Sequence, residues 1–240
     1  MRLAAPLCIS FLALALAACG DSDSPETAPD DVSSHMQEHF DKVTEVREAL
    51  VIGDLEAARE PATWLAEHAP FADLPPAWER YLDSVRVSAL EVLAAHGLED
   101  ASYATATMAV ACGDCHLQNG IAGQFGGSVE APDEETVKAH MQRHQWAIER
   151  MWEGLIGPSA TAWDEGVGML ADIPLGAHDS VDGTSEGDAL EDLARTVHAR
   201  AAMGFVADTV EKKAQVFGDV LAACGSCHQK AGRVVERSGP

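Results

Sequence analysis

Basic side chains are scarce in this chain. Its 240 residues hold 16 Lys and Arg against 39 Asp and Glu, a formal net charge of −23. Phosphate backbones are bound through clustered Lys and Arg, so this balance excludes a nucleic-acid partner. What remains is an acidic surface, read either as a solvated coat or as a field that steers a basic protein towards it. Aromatic residues are also few, at 5%. Ala is abundant instead, a composition that suits closely packed helices. Period-two alternation of apolar and polar residues, the mark of a half-buried strand, is missing throughout. Long apolar runs are missing with one exception, Leu3 to Ala18 behind Met1-Arg2. That run is too short and too rich in Ala to span a bilayer. It closes on small residues, so residues 1–18 read as a secretory signal peptide.

Cysteine is short as well, and the count closes without remainder. There are six. Cys8 lies inside the apolar run. Cys19 follows Leu16-Ala17-Ala18 and precedes Gly20, a junction that resembles the lipobox of bacterial lipoproteins. The resemblance implies cleavage before Cys19 and lipidation of that residue as the mature N-terminus, which would tether the protein to a membrane without spanning it. Gly20 after the lipid-bearing Cys points to the outer membrane. The other four cysteines form Cys112-Gly113-Asp114-Cys115-His116 and Cys224-Gly225-Ser226-Cys227-His228. None is left for a disulfide.

Each pentapeptide is a CxxCH motif, the signature of covalent c-type haem attachment. Two thiols three positions apart add across the two vinyl groups on one porphyrin edge. The next residue brings an imidazole under the iron, so His116 and His228 are the proximal ligands. A CxxC pair could also be a redox dithiol or half of a zinc site. Zinc would require the two distant pairs to meet and would leave both histidines unexplained. A redox dithiol would call for a βαβ pattern that is not there. Two copies behind an export signal favour two haem c groups.

The chain is also a tandem repeat. His35-Met36-Gln37-Glu38-His39 returns as His140-Met141-Gln142-Arg143-His144, an offset of 140 − 35 = 105, and the haem motifs are offset by 224 − 112 = 112. The 112 − 105 = 7 extra residues are placed in the Gly- and Asp-rich stretch Gly176 to Asp188. Residues 19–30 read as a flexible acidic tether, 31–119 as the first unit, 120–133 as a Gly-rich linker, 134–232 as the second unit and 233–240 as a tail. Each unit parses as four helices, at about 31–52, 54–68, 76–96 and 98–117, then about 134–156, 159–172, 187–207 and 209–231. Val32, Met36, His39, Val43, Val46 and Leu50 follow the four-three alternation of a bundle seam, repeated in Val137, Met141, His144, Ile148, Met151 and Leu155. Pro61 is expected to kink the second helix. The expected fold is all-α, two tandem four-helix bundles. Up-down-up-down closure puts the end of each fourth helix, with its CxxCH and haem, beside the start of the first.

With these features the sequence resembles the cytochrome c-prime superfamily, four-helix bundles with CxxCH near the end of the last helix. The resemblance covers both repeats. It departs after the motif, where a Tyr-Arg pair is replaced by Leu117-Gln118-Asn119 and by Gln229-Lys230-Ala231. It implies that a first-helix residue faces the distal side of each iron. A non-ligand there leaves the iron open to small gases such as NO and CO, whereas a ligand makes a low-spin electron carrier. The candidates are Met36 and His39 in the first unit, Met141 and His144 in the second, with His35 and His140 at the flank of the seam. A seam Met is often core filler and a seam His is often merely hydrogen-bonded. Repetition of the whole trio argues for ligation. Family analogy leans towards Met, and the imidazoles stay open. Phe40 in the first unit becomes Gln145 in the second, which would change the polarity beside one haem.

The expected function is electron transfer by an exported, lipid-anchored dihaem cytochrome on the periplasmic side of a bacterial membrane. Its expected partners are redox proteins, basic ones if the acidic surface steers them. The alternative is capture of NO or CO at one or both irons. No acid, base or nucleophile constellation for enzymatic catalysis is visible, and a haem peroxidase ranks below both readings.

Overall fold

The computed structural model describes residues 30–68, 74–121, 136–172 and 185–237. The signal peptide, Cys8, Cys19 and most of the tether and linker fall outside the described residues, as does most of Gly176 to Asp188. Among the described residues all regular structure is helical: α1 (Asp30–Val51), α2 (Arg59–Glu67), α3 (Glu79–Ala94), α4 (Leu98–Gln118), α5 (Val137–Ile156), α6 (Ala160–Asp172), α7 (Ser185–Ala202), a short 3₁₀ helix (Met203–Val206) and α8 (Val210–Arg237). No described helix is long and apolar enough to cross a membrane.

Helix ends follow local chemistry. α1 stops at Gly53, whose φ of 78° is left-handed and favours glycine. The Gly53 N–H donates to Leu50 O at 3.0 Å and the Asp54 N–H to Ala49 O at 2.8 Å, the paired bonds of a Schellman cap. α2 begins later than its sequence suggests. Asp54 Oδ1 accepts the Ala57 N–H at 2.8 Å and holds the intervening residues in turns. Pro61 therefore falls in the first turn of α2, where its missing N–H costs nothing, and does not kink the helix. The extended seventh helix of the sequence reading breaks after Ala202 into the 3₁₀ turn, whose Gly204 O accepts the buried Trp163 Nε1–H at 3.2 Å.

Within each repeat successive helices pack on one another, and the fourth returns to the first. The two repeats also share one hydrophobic core, with α4 packed along α8. These two helices run antiparallel. Gly225 lies against Leu98, and Gly218 lies against Ser102 and Tyr103. The two units therefore pack face to face.

The closest contacts across this interface are reciprocal. A Cβ on Gly225 would lie 2.5 Å from Leu50 O, at the end of α1, and a Cβ on Gly113 would collide with Leu155 O, at the end of α5. Leu50 and Leu155 are the same repeat position (155 − 50 = 105), and the glycines hold the same place in their pentapeptides (225 − 113 = 112). Each motif helix thus docks on the first helix of the other repeat, with no room for a side chain. Between the two contacts, Arg47 lies over the ring of Trp152 at 5.4 Å, again a pair of equivalent positions (152 − 47 = 105).

Gly225→Ala should therefore lower stability by about 2 to 3 kcal/mol through overpacking against backbone. Gly168→Ala, inside α6 with open space around it, should be neutral or gain up to about 1 kcal/mol. Urea denaturation of the two variants beside the parent chain checks both.

Candidate metal centres

Residues at i, i+3 and i+4 share a helix face, so Cys112, Cys115 and His116 look out from one side of α4, and Cys224, Cys227 and His228 from one side of α8. Antiparallel packing puts the two motifs at opposite ends of the helix pair. Gly225 meets Leu98, which lies 113 − 98 = 15 residues from Gly113, or about 22 Å along the axis at 1.5 Å per residue. The two thiol pairs therefore cannot enclose one zinc ion.

The thiols are also not activated. Burial pushes Cys112 and Cys224 up to about 12, aided in each case by the neighbouring thiol of the motif. Burial raises Cys115 too, offset in part by the Asn119 side chain and then Arg80, and raises Cys227. Thiols held protonated in apolar surroundings do not suit dithiol exchange. They do suit the hydrophobic edge of a porphyrin.

His116 carries the most direct sign of a ligand. Its Nδ1 lies 2.8 Å from Ile156 O, at the end of α5. A carbonyl only accepts, so Nδ1 carries the proton and Nε2 is left with its lone pair. This is the tautomer in which a histidine binds a metal while its other nitrogen is anchored. Burial lowers the pKa of both His116 and His228, which keeps the rings neutral. The donor set, its neutral state and the apolar surroundings fit a haem at each motif.

Two clusters of histidine complete the picture. His35 and His39 on α1 meet His68 at the end of α2, and His140 and His144 on α5 meet His198 on α7. In each trio the candidate donor atoms lie within 4.8 Å of one another. His35 and His140, placed at the seam's flank by the helical period, are buried at 8% and 5% exposure. Met36 is half-buried and Met141 is 38% exposed.

The first turns of α3 bring the first cluster and its motif to the same end of the unit. Trp78 Nε1–H donates to Asn119 Oδ1 at 2.8 Å, just past the motif, and Arg80 influences Cys115. Arg86 donates to His68 O at 3.4 Å and lowers the pKa of His39. In the second unit His228 is close enough to lower the pKa of His144.

Sequence reasoning missed His68 and His198. Repetition was the signal that found the other histidines, and these two do not repeat. His198 corresponds to Arg86 (198 − 112 = 86), and His68 has no histidine counterpart. Several ring nitrogens are buried without a hydrogen-bond partner: both of His39, and Nε2 of His144 and of His198. Such orphans are costly unless something binds them.

Comparison with protein-family models, with curated proteins and with solved structures finds no match for this chain.

Burial, then His35, His68 and Arg86, lowers His39 from 6.5 to about 4. Burial, then its neighbouring histidines and Arg143, lowers His144 from 6.5 to about 3. As the pH falls the unfolded chain takes up these protons first. The stability linked to both groups is complete above pH 6.5 and is lost as the pH falls from there towards 4 and 3, at about 1 kcal/mol per pH unit for each histidine. Urea midpoints of the chain without haem should drop between about pH 7.5 and 5, and the drop should shrink in His39→Phe.

Proposed function

We propose that this chain is a dihaem c-type electron carrier, exported and lipid-anchored at the periplasmic face of a bacterial membrane. One haem is joined through Cys112 and Cys115 with His116 as proximal ligand, the other through Cys224 and Cys227 with His228. The observation that carries the reading is the pairing of two CxxCH faces at opposite ends of α4 and α8 with a proximal imidazole already anchored through Nδ1. Haem, when bound, supplies reversible one-electron ferrous–ferric chemistry. The chain holds the proximal imidazoles neutral, excludes water with an apolar core and keeps the two motifs at a set spacing.

On the distal side the reading favours imidazole over thioether. His39 keeps both ring nitrogens unpartnered and buried, and its neighbours in the cluster are committed to one another. His68 Nε2 lies 3.4 Å from His35 Nδ1, and the His68 ring stacks on Trp64 at 3.8 Å and 17°. His39 is therefore the sixth ligand proposed for the first haem. Two nitrogen ligands lower the reduction potential relative to a His–Met pair. The net charge of −23 suits a basic redox partner.

Protein matured in a host competent for haem attachment should carry two haem adducts by mass spectrometry. The first haem should show low-spin ferric signals in electron paramagnetic resonance. His39→Ala should convert it to high spin and open it to carbon monoxide, whereas Met36→Ala should leave its spectrum unchanged. A bare chain, or ready carbon monoxide binding by the parent protein at both irons, would overturn the carrier reading, the latter in favour of gas capture.

A further inference from the structure

We propose that His140, His144 and His198 form a binding site for a divalent transition-metal ion of the zinc or copper type, separate from the CxxCH motifs. The site stands on its own residues, whether or not a porphyrin is attached.

The argument begins with His198. It is 91% buried, being 9% exposed. Its Nδ1 lies 2.6 Å from Leu170 O on α6, so Nδ1 is the protonated nitrogen. Nε2 is then a buried lone pair, and no hydrogen bond reaches it. A carbonyl-anchored imidazole with its other nitrogen exposed to a cluster is the second-shell arrangement that orients metal ligands. His144 presents a second buried, unpartnered Nε2. The rings of His144 and His198 stand 5.1 Å apart and nearly perpendicular, at 85°, with His140 at 4.4 Å from His144. One ring nitrogen from each of the three histidines lies within 4.8 Å of the others.

A metal ion satisfies the Nε2 atoms of His144 and His198 and takes His140 as a third donor. Metal–nitrogen bonds of about 2.1 Å in tetrahedral geometry need donors about 3.4 Å apart. The donor atoms already lie within 4.8 Å of one another, so side-chain rotations of about an ångström close the site around an ion. Three imidazoles with no carboxylate or thiolate select zinc or copper over magnesium and calcium. Three ligands leave a fourth position open, as in catalytic sites rather than structural ones. The charge of −23 favours cation capture over the electrostatic cost of nearby Arg143.

The first cluster does not share this chemistry. There His68 is tied to His35 and stacked on Trp64. The position that supplies His198 in the second unit is Arg86 in the first (198 − 112 = 86), a cation in place of a donor. The repeat has diverged at two positions, His198 against Arg86 and His68 against a residue that is not histidine, and the carbonyl-anchored third imidazole belongs to the second cluster.

The test is zinc titration of the full-length, haem-loaded protein after dialysis against a chelator, with bound zinc counted by elemental analysis and affinity measured calorimetrically. One zinc per chain is expected. His198→Phe, which keeps the buried volume, and His144→Gln should each weaken binding roughly 100-fold, whereas His68→Phe should leave it unchanged. Helical circular dichroism and the haem absorbance report whether each variant is folded. No zinc bound by the parent protein, or binding indifferent to both His198→Phe and His144→Gln, overturns the site. A haem 2 spectrum that turns high-spin in His144→Gln, with no zinc bound by the parent, overturns it in favour of His144 as an iron ligand. Zinc bound through this cluster by a chain that carries no haem sustains the site while removing the carrier reading.

Discussion

Two pairs of helices that touch without a side chain between them hold this molecule in register. Gly113 sits on the Leu155 carbonyl and Gly225 on the Leu50 carbonyl. An ordinary helix pair keeps 8–10 Å between axes because side chains fill the gap. Here glycine removes that spacer, and the end of one repeat's first helix rests directly on the other repeat's motif. The hydrogen bond from His116 Nδ1 to Ile156 O follows from the same approach, one residue further along α5. Gln229 Nε2 donating to Gly53 O at 2.6 Å is the contact on the other side. An imidazole proposed to hold iron in one unit is thus oriented by backbone from the other.

This reciprocity changes what a tandem repeat means. Two bundles on a string would each carry their own site. In this fold each motif is finished by its neighbour, and the hydrophobic core runs through both units without a break. The buried Arg47 guanidinium over Trp152 lies between the two contacts, its pKa lowered by burial and partly restored by Glu48 at 3.4 Å. An unpaired buried cation is expensive, so its place facing an aromatic ring and one carboxylate is what makes it tolerable.

Neutral imidazole is the second recurring theme. Burial lowers the pKa of His35, His39, His116, His144 and His228, and two imidazoles, His116 and His198, are anchored through Nδ1 to helix-end or helix carbonyls. Both are left with a lone pair on Nε2. One belongs to a CxxCH motif and the other to a cluster of three, so the same device serves the proposed haem and the proposed metal ion.

The sequence by itself determined the helical class, the helix count and the two thiol–imidazole motifs, because period, spacing and repetition are local properties that survive without the fold. It also singled out His39 and His144, since both recur at a common offset. Three matters were decided only in three dimensions. The late start of α2 came from an Asp54 turn, a contest between neighbouring backbone bonds that helical period does not register. His68 and His198 joined their clusters from helices whose repeat partners are not histidine, so no periodic signal marked them. The docking of each motif on the other unit rests on antiparallel packing of α4 and α8, and nothing in either repeat read alone specifies which helix end a glycine will meet.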